Sequence, residues 1–473
     1  MIAEVLSKNF LESWLEPIQE ELQSLVSETG DPDGRFRAAI AAVGEVQKQG
    51  PTGQPDAGAG DGGTRRRGQQ GAPSLDEQSF FSRDPVMSLL QSALDELIEE
   101  RHEALINTES QTRTGGRRGA TSLPAVTDRS IGIPELRAAG GRRFLGPFEQ
   151  TDIRWVASVG LAKALSLFRD RHPFNDRPAD PVRLAGRSRI VMVGDWGSGL
   201  PRAQRVADHM RVHIARGLEE GRQVHALHLG DVYYSGFERE YRNRFLRYWP
   251  VDPTQADTVY SWSVNGNHDM YSGGHGYFKA LLTDPRFACQ QQSSWFTIEN
   301  EHWRIVGLDT AWDEEGIHDP REERGLTAPQ PAQLQSWAAE DDRPFMLLSH
   351  HQLFSGWEKP GPYLRDTLKP LLDAGRIRAW FWGHEHKCVV HQPFEGVQYG
   401  RCVGHGGVPV YAVGAPENAE PKVDWVEQRA IDGFVERWAL FGFAVLDFDG
   451  PHVNVSYIDE FGQLAHQEAF DAR

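Results

Sequence analysis

A chain of 473 residues exceeds what one compact core ordinarily organises, so two or more domains are expected. The formal net charge of −17 argues against a protein that coats nucleic acid, because phosphate backbones reward basic surfaces. It is compatible with an enzyme that draws phosphate esters to bound cations, since a metal reverses the local field.

The first residues mix Glu4 and Lys8 with apolar ones and build no apolar core of a signal peptide. No apolar run reaches the roughly 20 residues that span a bilayer. The three cysteines, Cys289, Cys388 and Cys402, have no CxxC spacing, which argues against a disulfide framework or a zinc ribbon. A cytoplasmic protein with no membrane association is expected. Three stretches show helical spacing. The first carries Leu11, Trp14, Leu15, Ile18, Leu22 and Leu25. The second carries Leu89, Leu90, Ala93, Leu94, Leu97 and Ile98, with Asp84 and Pro85 as cap and first-turn residues. The third runs from about Asp152 to Arg169 and carries Trp155, Val156, Val159, Leu165 and Leu167. Between them, residues 49–73 and 108–143 are rich in Gly, Arg and small polar residues and read as linkers. Their arginine pairs and triplets lack interleaved aromatics, so solvated linkers account for them better than a polyanion site. Residues 1–185 are thus expected to be mostly helical and partly disordered, with helices available for a protein partner or for self-association.

From Ser188 the pattern changes. The apolar run Ile190–Val193 ends in Gly194-Asp195, and a helix is expected from Pro201 to about Glu219. Val224–Leu229 ends in Gly230-Asp231, and Tyr260–Val264 leads into Asn265-Gly266-Asn267-His268-Asp269. Trp303–Leu308 follows, then Phe345–Leu348 before His350, and Ile377–Trp382 before Gly383-His384. Strand, loop and helix in this order give an α/β domain over 186–473. Open α/β sheets place their sites at the carboxyl ends of strands, where these Asp, Asn and His residues stand. From about Phe441 to Phe470 apolar and polar residues alternate around Asp449-Gly450, as in closing antiparallel strands with a hairpin turn.

The candidates for chemistry are Asp195, Asp231, Tyr234, Asn267, His268, His350, His384 and His386. All offer hard oxygen or borderline nitrogen donors and none is a thiol, a set that suits Fe, Mn or Zn. Two cations held close together need a shared anionic bridge, and Asp231, at a strand end, is the residue chosen for it. His384 and His386 in Gly-His-Glu-His can each serve a different ion, and Asn267 offers a neutral oxygen. Singly these signals are weak: a Gly-Asp after a strand is usually a turn, and Tyr233-Tyr234 could simply pack beside the sheet. Their conjunction in one order carries the weight. His225 and His228 alternate with apolar residues and are expected in the core. His405, in a Gly-rich turn, either lines the mouth of the site or belongs to the turn alone. Tyr271, Trp312 and Trp357 stand in loops near the motifs.

Gly194-Asp195-Trp196-Gly197, Gly230-Asp231-Val232-Tyr233-Tyr234, Gly266-Asn267-His268-Asp269, Leu347-Leu348-Ser349-His350 and Gly383-His384-Glu385-His386 resemble the calcineurin-like metallophosphoesterase signature. More narrowly they resemble its purple acid phosphatase branch, over about residues 188–460. Most of that superfamily has Asp-x-His in the first motif, and here Gly197 takes the place of the His. The branch supplies instead a Tyr three residues after the bridging Asp, where Tyr234 stands. The resemblance implies a four-layer α/β/β/α sandwich of two mixed sheets. It implies a first ion on Asp195, Asp231, Tyr234 and His386, and a second on Asp231, Asn267, His350 and His384. The metals would be Fe(III) with Fe(II), Zn or Mn, or alternatively two Mn or Zn. His351 follows His350 where many relatives differ, which leaves His351 as an alternative ligand.

The activity implied is hydrolysis of a phosphate ester, with hydroxide attacking phosphorus in line at a dinuclear centre. His268 is assigned as general acid toward the leaving oxygen. Asp269 either orients its imidazole or bonds the loop backbone. The competing readings are a phosphodiesterase or nucleotidase of the same superfamily using Mn or Zn, and a non-catalytic interaction module of the same fold.

Overall fold

The computed structural model describes residues 171–313, 326–357, 360, 362–431 and 437–472. The three helices and two linkers expected within residues 1–170 lie outside the described residues. The strands, in chain order, begin with β1 (Val182–Arg183), β2 (Arg187–Val193), β3 (Gln223–His228), β4 (Val259–Ser263) and β5 (Phe296–Glu299). They continue with β6 (Arg304–Gly307), β7 (Phe345–Ser349), β8 (Ile377–Trp382), β9 (Cys388–His391) and β10 (Tyr399–Val403). The last are β11 (Val423–Val426), β12 (Gly442–Asp449), β13 (His452–Asp459) and β14 (Leu464–Asp471). Helices α1 (Pro201–Glu219), α2 (Asn267–Tyr271), α3 (Gln330–Glu340) and α4 (Tyr363–Asp373) intervene.

The strands form two mixed sheets. One has the order β1-β5-β6-β7-β8-β10-β9-β11, the other β14-β13-β12-β2-β3-β4. Parallel pairing of β2 with β3 and β3 with β4, and of β6 with β7 and β7 with β8, brings the carboxyl ends of these strands to one edge of each sheet. The sheets pack face to face. Ile190, Met192, Leu227 and Trp262 of the smaller sheet share one buried cluster with Phe296, Ile305, Met346, Leu348 and Phe381 of the larger. Side chains of successive strand residues alternate between faces, so Val306, Phe345, Leu347, Trp380 and Trp382 are left for the opposite side. There they bury Leu334 and Trp337 of α3 and Leu364, Leu368, Leu371 and Leu372 of α4.

α1 covers the outer face of the smaller sheet, against β2, β3 and β12. Pro201 stands in its first turn, where a missing N–H costs nothing. Ala203, Val206, Ala207, Met210, Ile214 and Gly217 recur at helical spacing on its buried side. The layers are therefore α/β/β/α. At the closing hairpin Asp449 pairs with His452, and Gly450 takes φ +64°, which lets the chain reverse. Among the described residues no helix is long and apolar enough to cross a membrane.

One buried ion pair fastens α1 to the turn after β13. The Arg202 guanidinium lies 2.6 Å from Glu460, which is wholly buried, and 3.7 Å over the Phe441 ring. Glu460 also accepts from the Phe441 N–H and from Arg205. Removing one partner of such a pair strands the other charge in a dry interior. Glu460→Ala is expected to cost about 3–5 kcal/mol of stability in urea unfolding; an unchanged midpoint would show that Arg202 finds its charge balance elsewhere.

Candidate metal centre

The pocket is assembled from turns that leave β2, β3, β4, β7 and β8. Val193 pairs with His228 across β2 and β3, and the Asp195 N–H donates to the Gly230 carbonyl at 3.0 Å. This sets Asp195 and Asp231 side by side. Ser349 pairs with Trp382 across β7 and β8, and the Gly383 N–H donates to the His350 carbonyl at 3.1 Å. Four of the donor residues hold positive φ: Asp195 at 54°, Asp231 at 74°, His384 at 69° and His386 at 50°. Such backbone is uncommon outside glycine and costs about 1 kcal/mol or more per residue. Its concentration on these residues fits a site rather than ordinary turns.

The glycines beside them make room. Gly266 has the Asp231 Oδ1 and the His350 ring so close that an added Cβ would stand 2.1 Å from the carboxylate. Gly230, at φ +93°, both permits the reversal and leaves space for the His350 imidazole.

On one side of Asp231 a first group gathers. The Tyr233 hydroxyl lies 2.9 Å from Asp195 Oδ1, 3.3 Å from Asp231 Oδ2 and 3.0 Å from His386 Nε2. His386 Nε2 is 3.3 Å from Asp195 Oδ1. The other Asp195 oxygen accepts the His384 N–H at 2.8 Å. The phenol that reaches these residues belongs to Tyr233, whereas the sequence reading assigned it to Tyr234. Tyr234 is engaged through its backbone: its N–H bonds the Glu240 carboxylate, its carbonyl accepts from His268, and its ring lies under the Arg244 guanidinium.

A second group gathers on the other side. His350 Nε2 lies 3.2 Å from Asp231 Oδ2 and 3.0 Å from Asn267 Oδ1, and His384 Nδ1 lies 3.1 Å from the same Asn267 oxygen. His350 Nδ1 donates to the Leu229 carbonyl at 2.8 Å, which leaves Nε2 as the nitrogen that faces the pocket. His351 packs at 4.7 Å against the His384 ring and its Nδ1 meets the Thr310 hydroxyl at 3.0 Å. Of the two neighbouring histidines, His350 is the one that reaches Asp231.

His268 is buried next to both groups. Its N–H donates to Asp231 Oδ1 at 3.0 Å, its Nδ1 donates to the Tyr234 carbonyl at 2.6 Å, and its Nε2 stands 4.0 Å from Asp231 Oδ2. A backbone carbonyl thus orients the imidazole. Asp269 takes the other course left open by the sequence. It accepts the N–H groups of Asp231, Val232 and Gly266 at 2.7–2.9 Å and the Tyr241 hydroxyl at 2.5 Å, clamping the two ligand-bearing turns together. Burial and the Asp231 charge push its carboxyl up to about 7 against those donors.

The electrostatics favour a cation. Asp195 and Asp231 are almost completely buried. Burial alone would raise the Asp231 carboxyl, but the neighbouring imidazoles of His350 and His268 hold it well below the usual range. Burial would likewise lower the His350 imidazole, yet the Asp231 and Asp195 charges hold it up, at about 10. His384, buried and beside His351 and His350, is pushed well down. Donor atoms of Asp195, Asp231 and His350 lie within 4.8 Å of one another, as do those of His350, His351 and His384. Carboxylate oxygens and imidazole nitrogens at these separations fit divalent or trivalent first-row ions.

The remaining sequence candidates fall outside these two groups. His225 is buried, accepts from the Trp262 indole and stacks on Tyr260; His228 packs edge-on to Phe245 and Trp249. His405 is buried against Gly442. Trp312 packs with Phe174 and under Arg171, and Trp357 lies under Lys387. Tyr271 accepts from Asn267 Nδ2 at 2.6 Å. Sequence reasoning missed Tyr233, Tyr241 and Glu240. Tyr233 had a visible signal, its place beside Tyr234, but spacing cannot say which phenol turns inward. Glu240 and Tyr241 follow the motif by several residues and carry no signal of their own.

Comparison with known proteins adds a similarity over part of the chain. Residues 188–388 match the calcineurin-like phosphoesterase family. The matched span holds every residue of both groups. No curated protein matches the chain. Among solved structures the chain is similar to GAP50, the anchor in the inner membrane complex of Plasmodium, at 14% identity over 61% of this chain and 89% of that one, with a TM-score of 0.45. It is also similar to a predicted phosphoesterase from Streptococcus pneumoniae at 11% identity, over 60% and 98% of the chains, with a TM-score of 0.26. Vps29 of Chaetomium thermophilum gives 11% identity over 61% and 100%, with a TM-score of 0.26.

Because Gly266 touches both Asp231 and His350, Gly266→Ala is expected to empty the pocket while the sheets survive. Elemental analysis should find most of the bound metal lost, with an unchanged far-ultraviolet circular dichroism spectrum; full metal content would show that the turn can move aside.

Proposed function

We propose that the phosphoesterase region hydrolyses phosphate esters at a centre of two metal ions that share Asp231. The observation that carries this reading is the meeting of Asp195, Tyr233 and His386 on one side of Asp231 with Asn267, His350 and His384 on the other. In this reading the first group would hold one ion and the second group the other, with Asp231 serving both. When bound, such a pair acidifies water and neutralises charge on the ester oxygens. The chain's own residues supply the rest. Asp231, Asp195 and the imidazoles fix the two positions. His268, held through Nδ1 by the Tyr234 carbonyl, offers Nε2 to the leaving oxygen. Burial pulls its imidazole below the usual value, while the Asp231 carboxylate and the Tyr234 carbonyl pull the other way. A phosphate seated beside it adds negative charge and favours the protonated ring that a general acid requires.

Within the superfamily we place the chain near the purple acid phosphatases. Gly197 stands where the commoner pattern has a histidine, and any side chain there would collide with Val232. The phenol of Tyr233 occupies the side of the pocket that such a histidine would serve. A phenolate is a hard anionic donor and favours Fe(III), with Fe(II), Zn or Mn as the second ion.

Three outcomes test the reading. Hydrolysis of an aryl phosphate monoester, and of the matching diester, should be lost in Asn267→Ala with iron, manganese or zinc supplied in turn; retained turnover would remove Asn267 from the centre. His268→Ala should cost about 100-fold on an alkyl phosphate and far less on a nitrophenyl ester, whose leaving group needs no proton. A loss below about tenfold on the alkyl ester would end the acid assignment. Iron-loaded protein should show a visible charge-transfer band that Tyr233→Phe abolishes and Tyr234→Phe preserves. The reverse pattern would return the ligand role to Tyr234.

A further inference from the structure

A carboxamide that serves as a metal ligand has two faces, and only its oxygen can bind the ion. Asn267 presents Oδ1 to His350 Nε2 and His384 Nδ1, at 3.0 and 3.1 Å. Its Nδ2 points the other way and donates to the Tyr271 hydroxyl at 2.6 Å. Both residues stand on α2, four positions apart, a spacing that lets the Tyr271 side chain reach back to the Asn267 amide. The Tyr271 ring also lies 4.7 Å from the His268 ring at 60°. One side chain therefore touches a donor of the second group and the proposed acid.

We propose that Tyr271 is a positioning residue for the second ion: its hydroxyl keeps the Asn267 oxygen turned into the pocket, and its ring braces His268. This rests on the two-metal reading above. Accepting the Nδ2–H shifts electron density along the amide toward Oδ1 and makes it a better donor, as partners behind a ligand generally do. The hydroxyl also sets the plane of the amide, which would otherwise turn about its last bond and offer nitrogen to the ion.

Two variants of the full chain separate the hydroxyl from the ring. Tyr271→Phe removes one oxygen and keeps the ring; Tyr271→Ala removes both. Calorimetric titration of metal-free protein with Mn(II) reads the two sites separately, and turnover is measured at saturating metal. Tyr271→Phe should weaken the second binding step by roughly tenfold or more while the first is unchanged, and its kcat should recover when metal is saturating. Tyr271→Ala should show the same weakening and, in addition, a kcat that metal does not restore. Equal affinities in wild type and Tyr271→Phe overturn the inference, and so does equal weakening of both steps, which marks general loosening. Wild type that takes up no second ion overturns the two-metal reading itself and the inference with it.

Discussion

Two carboxylates, Asp195 and Asp231, are buried side by side at the ends of neighbouring parallel strands, and the site is organised around that fact. A dry interior does not tolerate such a pair without positive charge or hydrogen bonds close by. The fold answers with imidazoles from the opposite sheet, the Tyr233 phenol and backbone N–H groups. The two carboxylate charges hold the His350 imidazole up, at about 10, in spite of full burial.

That demand reaches into the backbone. Asp195, Asp231, His384 and His386 sit in left-handed conformations, and the glycines between them let side chains from two sheets approach within contact distance. Strain of this kind persists only where its surroundings over-determine it. Here the surroundings are Asp269, which ties three backbone N–H groups and Tyr241 together, and Glu240, which takes the N–H groups of Tyr234, Ser235 and Phe237. Neither side chain reaches toward the centre of the pocket. Both hold the turns that do.

Much of this was legible in the sequence. Strands β2, β6, β7 and β8 contain apolar runs, because buried parallel strands need little polar alternation, while β3 and β4 alternate and were marked by the Gly-Asp and Gly-Asn motifs that follow them. The helix from Pro201 to Glu219 announced itself by its first-turn proline and its spacing. The strand-end Asp, Asn and His residues were readable because open sheets place their sites at one edge. What stayed hidden has physical causes. β5 and β11 interleave polar residues over four positions and β9 is a run of only four, so none stands out from its flanking loops; β6, equally short, is marked by an apolar run that continues to Leu308. α4 did carry a signal, Leu364, Leu368, Leu371 and Leu372 at helical spacing, but Pro370 within it obscured the pattern. The choice between Tyr233 and Tyr234 depends on how the chain turns after Asp231, which residue order does not encode. Asp269 looked like a partner for His268 because they are adjacent, yet adjacent side chains on a helical turn point apart, and it faces the backbone instead.

The central claim is that Asp231 stands between two cations. Crystals of the full chain grown with Mn(II), with diffraction recorded at the manganese absorption edge, test it most directly. The account predicts two anomalous peaks flanking the Asp231 carboxylate, one among Asp195, Tyr233 and His386 and the other among Asn267, His350 and His384. A single peak, or none in an otherwise ordered pocket, would contradict it.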